Sequence, residues 1–248
     1  MTEDILLYGN TAKYYCLIWL DRYMKEKTGT VTILDLGCGT SLNLVKLMQK
    51  YPSIHYIGVE PSAADVRIAR ENLKNFNAEI FQGQAHEVDL SPADIVISFS
   101  VLEHIYDRTE YLSVAKHCMK LDGFFLINYD AGHFVVTSGR WWDPRSDVWL
   151  NFWSPFLAKF GWRRHFQAFV EEAAFQDLLD KLGFEVVEEA FFNTDIKGLC
   201  SLVPNENRKE FMLKWYEFEL TLNSVGIVYE DKLAKHLRTR NFILQHHK

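Results

Sequence analysis

At 248 residues the chain is long enough to bury a full sheet between two helical layers, and too short for a second large domain. With 48% hydrophobic and 24% charged residues it is neither disordered nor fibrous. A formal charge of -6, from 27 basic and 33 acidic residues, argues against a sequence-independent grip on nucleic-acid phosphates and favours a small-molecule partner.

Four widely spaced cysteines, Cys16, Cys38, Cys118 and Cys200, suggest neither a zinc site nor a disulfide framework, and no metal is expected. The opening residues lack the basic start and apolar core of a secretory signal, and no apolar run reaches the length of a membrane span. The expected setting is cytoplasmic, without a membrane partner.

One domain over 1–248 is expected, with residues 1–30 as a helical cap. From about residue 31 to 130, strand-like and helix-like patterns alternate, the mark of a parallel sheet with helices on both faces. Val31 to Leu36 is a short apolar strand ending in glycines, followed by a helix over Ser41 to Lys50. Ile54 to Val59 is a second strand, after which Ser62 caps a helix running to about Phe76. Ala78 to Gln82 and Asp94 to Phe99 are the third and fourth strands, and the helix expected between them has no clear position. A helix from Asp107 to Lys120 then meets an Asp122-Gly123 turn into a fifth strand, Phe124 to Tyr129.

Residues 131–166 break the pattern with Trp141, Trp142, Trp149, Trp153 and Trp162, and are expected as an aromatic insertion over the strand ends. An amphipathic helix over Phe169 to Leu182 ends at Gly183 and leads into a sixth strand, Phe184 to Phe192. In the remainder, a helical insertion is expected over about 195–237, with Glu206 to Lys235 as its helix, before a last strand at Arg240 to Gln245.

The chemistry concentrates where strands end. In Leu34-Asp35-Leu36-Gly37-Cys38-Gly39-Thr40-Ser41, a strand stops near an acidic residue and turns through two glycines, which let a ligand approach the backbone. A dinucleotide-binding loop wants a third small residue where Leu42 stands, and a carboxylate at Asp35 repels phosphate but suits a ligand bearing an ammonium and a sulfonium. That disfavours a nicotinamide oxidoreductase. Glu60, before Pro61 at the end of the second strand, is placed to accept hydrogen bonds from two ribose hydroxyls; strand-end helix capping is the competing reading. Gln84 and Ala85 follow the third strand, where an amide can meet an adenine edge or simply stand in a polar loop. Ser98 and Phe99 end the fourth strand, with carbonyls that can hold an amino group.

These segments together resemble the class I S-adenosylmethionine-dependent methyltransferases of the small-molecule group. LDLGCGTS is similar to the family's first motif, YIGVEPS to its acidic second-strand end, ADIVISFSVLEHI to its fourth-strand motif and MKLDGFFLIN, which has Met119 where the family pattern leads with Leu, to its fifth. The resemblance covers about residues 31–130 and implies an α/β Rossmann-like fold: a seven-stranded, mostly parallel sheet in the order 3-2-1-4-5-7-6, its final strand antiparallel, under a helical and aromatic lid. It implies S-adenosylmethionine as cofactor and S-adenosylhomocysteine as product. Ser41, where many members carry a third glycine, and Gln84, where they often carry an acid, depart from the pattern.

Methyl transfer is an in-line displacement, so alignment and water exclusion matter most. Should the acceptor be a hydroxyl, His104 and His133 are the candidate bases, with helix-start packing the competing reading for His104. Tyr8, Tyr14, Tyr15 and Trp141 supply aromatic faces for an acceptor or a satellite core, and Asp130 and Arg163 can orient a polar acceptor or serve as turn and edge residues. The reading is methyl transfer to an O, N or C atom of a small molecule; an RNA-directed enzyme and a cofactor-binding non-catalytic subunit are the alternatives.

Overall fold

A computed structural model describes residues 3–130, 153–161, 166–193, 196–226 and 237–246. Helix α1 (Thr11–Glu26) opens on Asn10, whose side chain accepts from the Lys13 N–H at 2.8 Å. There follow β1 (Val31–Leu36), α2 (Val45–Lys50), β2 (Ile54–Glu60), α3 (Ala63–Leu73), β3 (Ala78–Gln82), β4 (Ala93–Phe99), α4 (Arg108–His117) and β5 (Met119–Asp130). Then come α5 (Ser154–Lys159), α6 (Glu172–Leu182), β6 (Phe184–Phe192), α7 (Ile196–Leu202), α8 (Arg208–Ser224) and β7 (Thr239–His246).

The seven strands lie in the order β3-β2-β1-β4-β5-β7-β6. The first five pair in parallel, and β7 runs antiparallel to both β5 and β6. Alternation along each strand sends side chains to two separate cores. Ile33 and Tyr56 face α1, α2, α3 and α8, whereas Leu34, Leu36 and Val96 face α4 and α6. Because both faces are covered, the central strands are almost wholly buried.

Four sequence expectations are corrected. Helix α2 starts at Val45 rather than Ser41, since Ser41 holds a left-handed backbone at φ 57° that no α-helix admits. Between β3 and β4 lies only a single 3₁₀ turn, Ala85–Glu87. Strand β5 begins at Met119, not Phe124: the Asp122-Gly123 pair is not a helix-to-strand turn but lies within the strand, where the register with β4 shifts between Ala93 and Ile95. A Cβ on Gly123 would sit 2.9 Å from the Lys120 carbonyl oxygen and 3.0 Å from that of Asp94, which explains the glycine. Helix α8, expected over Glu206 to Lys235, runs over Arg208–Ser224 among the described residues. Gly183, at φ 67°, caps α6 in the left-handed conformation its position predicted.

A buried polar ladder ties α1 to the carboxyl edge of the sheet. Asn128 on β5 faces Asn241 on β7 directly across the strands, and its amide N–H donates to the Asn241 carbonyl oxygen. Asn241 donates in turn to the Ala12 carbonyl at 2.8 Å, and the Ser100 hydroxyl donates to the Asn128 oxygen at 3.3 Å. Both asparagines are buried, so each lost partner exposes a donor or acceptor to an apolar interior. Asn241→Ala is therefore expected to lower unfolding free energy by about 1–3 kcal/mol. Urea unfolding followed by circular dichroism measures it.

Candidate active site at the strand ends

The turn after β1 is fixed by its backbone. The Gly37 and Cys38 N–H groups both donate to the Val59 carbonyl, at 2.8 and 3.1 Å, and the Ser41 N–H donates to the Cys38 carbonyl at 2.9 Å. Gly37 and Gly39 have positive φ, 82° and 52°, but for different ends. A Cβ on Gly37 would lie 2.5 Å from Val101 Cγ2, so this glycine lets the turn after β4 pack against the loop. A Cβ on Gly39 would meet nothing within 4 Å, so its face opens onto the cleft. Ser41 adopts the left-handed backbone at the position where a third glycine is common, at a cost of about 1–2 kcal/mol. Its hydroxyl, 3.2 Å from the Tyr56 hydroxyl oxygen, offsets part of that.

Asp35, only 2% exposed, accepts a 2.7 Å hydrogen bond from the Tyr56 hydroxyl. Burial pushes its carboxyl up to about 7, opposed by that hydrogen bond and by the positive charge of Lys13 and reinforced by Glu60. Lys13, on the first turns of α1, faces both Asp35 and Glu103, and burial lowers the pKa of its ammonium.

Glu60 stands at the tip of β2. One carboxylate oxygen accepts the Gly39 N–H at 3.0 Å and the other the Ser62 N–H at 2.8 Å, which leaves each with lone-pair capacity for a ligand donor. Ser62 caps α3 as expected, accepting the Asp65 N–H. Pro61 is exposed. The Gly83 N–H donates to the Glu60 carbonyl at 3.2 Å, bringing Gln84 and Ala85 beside this tip; the Gln84 N–H donates to the Glu87 carboxylate at 2.7 Å and its residue is exposed.

Ser98 is fully buried. Its hydroxyl lies 2.7 Å from that of Tyr111, which donates to the Leu36 carbonyl at 3.1 Å, so β4 is locked to β1 just below the loop. Phe99 is buried beside it, and Ser100 follows with a left-handed backbone at φ 61°, its N–H donating to the Asn128 carbonyl at 2.8 Å. The sharp bend sends the chain into a 3₁₀ turn, Leu102–His104. Arg108 clamps that turn by donating to the Leu102, Ala168 and Phe169 carbonyls, while the Ala168 N–H donates to the Glu103 carbonyl at 3.0 Å.

A cavity of about 110 Å³ lies at the tips of β4, β5, β6 and β7, lined by Gly9, Asn10, Ser100, Glu103, Asn128, Asp130, Asn193 and Thr239. Its Ser100 and Glu103 flank Val101, the residue packed on Gly37, so cavity and glycine loop are contiguous.

Of the expected site residues, the structure brings Asp35, Gly37, Cys38, Gly39, Glu60, Pro61, Gln84 and Ala85 to one edge, with Ser98, Phe99 and Asp130 adjoining. Tyr8 is exposed, with Lys46 Nζ 5.8 Å from its ring centroid. Tyr14 packs edge-on against Tyr216 in the core under α8, and Tyr15 donates to Glu188 on β6 at 2.6 Å, beside Trp19 and Arg22. Tyr14 therefore anchors α1 to α8 and Tyr15 anchors it to β6, and neither is among the cavity-lining residues. His104 is exposed; the residue of its turn that lines the cavity is Glu103. His133, Trp141 and Arg163 lie outside the described residues, as does most of the aromatic insertion. The lining asparagines and Glu103 were not singled out from sequence; the signal was a polar residue interrupting an apolar run, as in Phe124 to Asn128.

A family model described as a methyltransferase domain matches residues 8–189. Trans-aconitate 2-methyltransferase of Azoarcus sp. (strain BH72) is 27% identical over 118 residues, which cover 44% of this chain and only 46% of that relative's length. Among solved structures, phosphoethanolamine N-methyltransferase 2 of Haemonchus contortus, bound to S-adenosyl-L-methionine, superposes with a TM-score of 0.58 at 17% identity, covering 94% of this chain and 53% of that one. A cyclopropane synthase of Mycobacterium tuberculosis gives 0.56 at 15% identity, covering 92% and 83%. The sheet order and the matched family model lead to one conclusion: the chain belongs to the methyltransferase-domain family and has the fold of the class I S-adenosylmethionine-dependent methyltransferases.

Proposed function

We propose that the chain transfers a methyl group from S-adenosylmethionine to a small-molecule acceptor held in the cavity beside Glu103 and Asp130. The observation that carries this reading is the pairing of two strand-tip carboxylates, Asp35 and Glu60, around a glycine turn whose Gly39 face is open to the cleft. Such a cradle suits a positively charged nucleoside and repels a pyrophosphate.

In the proposed arrangement Asp35 faces the cofactor's ammonium, Glu60 accepts from its ribose hydroxyls, Gln84 and Ala85 border its adenine, and the backbone of Gly37, Cys38 and Gly39 and of Ser98 and Phe99 lines the groove between. When bound, S-adenosylmethionine supplies a methyl carbon made electrophilic by its sulfonium. The chain's own part is to align an acceptor with that carbon and exclude water. A small acceptor is supported by the size of the cavity, by the chain's net charge of -6, and by the small molecules named in its relatives, trans-aconitate and phosphoethanolamine.

Two measurements test the cofactor half. The pKa of Asp35 is raised from its ordinary 3.8 to about 7, so in the ligand-free fold its carboxyl takes up a proton as pH falls through 7, and folding stability declines as pH rises from about 4 to 7. A cationic ligand favours the ionised form and so promotes proton release. Cofactor affinity is therefore expected to rise between pH 5.5 and 7.5, with protons released on binding in calorimetry, and Asp35→Asn is expected to flatten that dependence. Separately, Glu60→Ala is expected to weaken S-adenosylmethionine binding by about 1.5–3 kcal/mol, the worth of hydrogen bonds to a charged group. Unchanged affinity in a folded variant would remove Glu60 from the site.

A further inference from the structure

Resting on the cofactor placement proposed above, we infer that Tyr56 and Ser41 are positioning residues: their hydroxyls form a buried relay behind the glycine turn that holds the Asp35 carboxylate ionised and aimed at the cofactor's ammonium. Tyr56 lies on β2 with its side chain fully buried, and its hydroxyl oxygen is 2.7 Å from an Asp35 carboxylate oxygen and 3.2 Å from that of Ser41. A phenol has one proton, and the short contact to a carboxylate takes it. The Tyr56 oxygen is left to accept from Ser41, so donation runs from Ser41 to Tyr56 to Asp35, each bond strengthening the next. The neighbouring Cys38 thiol donates elsewhere, to the Gly39 carbonyl at 3.7 Å.

The backbone supplies an independent observation. Ser41 is 2% exposed and holds φ 57°, a conformation glycine adopts freely and other residues resist. A strained backbone beside a site points to a use for the side chain that makes it strained. The one polar group that side chain brings is its hydroxyl, and the hydroxyl meets Tyr56.

Asp35 is faced by Lys13 from α1, by Tyr56 and Glu60 on β2, by Cys38 in the turn and by Tyr111 from α4. Burial pushes the Cys38 thiol up to about 12 and holds both phenols above their ordinary value, so these three stay neutral near pH 7. Lys13 and Glu60 are untouched by substitutions at positions 41 and 56, so a difference between variant and wild type reads the relay. Removing a hydrogen bond that favours the ionised form raises the proton affinity of Asp35, and the acid limb of cofactor affinity moves to higher pH with it.

The test compares Tyr56→Phe and Ser41→Gly with the wild type, using the whole chain. Carbon-13 NMR of ligand-free protein follows the Asp35 carboxyl, and calorimetry follows the affinity for S-adenosylhomocysteine, which carries the same ammonium and ribose. Tyr56→Phe is expected to raise the Asp35 midpoint by about one pH unit, to weaken binding about tenfold near pH 6, and to leave it within about twofold near pH 8.5. Ser41→Gly relieves the strained backbone and so covers misfolding of the first variant; it is expected to move both quantities the same way by a smaller amount. A midpoint unchanged in both variants overturns the inference and leaves the cofactor site standing. So does a loss of affinity that is equal at every pH with the midpoint fixed. A moved midpoint without a moved affinity profile removes Asp35 from the cofactor's ammonium and overturns the inference together with that placement. Failure of the wild type to bind either S-adenosylhomocysteine or S-adenosylmethionine overturns the cofactor reading itself.

Discussion

The candidate site depends on one electrostatic constraint, a carboxylate held almost out of water near the carboxyl end of β1. Asp35 is 2% exposed, and in that setting its ionised form is expensive unless something positive or hydrogen-bonding faces it. Tyr56 supplies the hydrogen bond, Lys13 supplies charge, and together they fall short of restoring an ordinary carboxylate. Gly58 makes the arrangement sterically feasible: a Cβ there would lie 2.8 Å from Cys38 Sγ and 3.1 Å from the Tyr56 ring, displacing the two side chains that shape the pocket. In the proposed function that residual cost is what a cationic ligand would relieve, so binding and burial become two aspects of one placement.

The same economy of polar contacts extends to the far side of the edge. Glu219 on α8 is fully buried, raised to about 6 by burial, and accepts the Asn193 N–H at 2.6 Å. Asn223, one turn on, both donates to the Phe191 carbonyl and accepts the Phe191 N–H. Helix α8 thus fixes the end of β6, and with it one wall of the cavity, without lining the cavity itself. Arg108 does the equivalent for the Glu103 turn through three backbone carbonyls, a task its planar fork of donors performs and a lysine cannot.

Legibility in the sequence followed the range of the interactions involved. Strands β1, β3 and β6 and the glycine turn were readable because each is announced by a local apolar run and a local stop. Glu60 was readable because it directly ends such a run. The start of β5 was not, because Asp122-Gly123 is a turn signal by local chemistry, and only the approach of the Asp94 and Lys120 carbonyls makes the glycine a requirement of the sheet. His104 drew attention as a titratable side chain at a helix start, yet in a 3₁₀ turn neighbouring residues point in different directions, and Glu103 is the one turned inward. Tyr14 and Tyr15 illustrate the same ambiguity: an amphipathic aromatic serves a lid or a core equally well until the partner, Tyr216 or Glu188, is known.

The two halves of the edge therefore differ in how they are encoded. The proposed cofactor half comes from the turns that follow β1, β2 and β3 between Asp35 and Ala85, each preset by its own strand, so its geometry follows once the parallel sheet forms. The cavity proposed for the acceptor joins Asn10, Glu103, Asp130, Asn193 and Thr239, residues from five segments brought together by the pairing of β7 with β5 and β6. The Asn128–Asn241–Ala12 ladder is what makes that insertion specific, since a slip of β7 by one residue would turn Asn241 away and bury unmatched amides. Pairing of β7 in the correct register therefore both completes the sheet and forms the cavity at its edge.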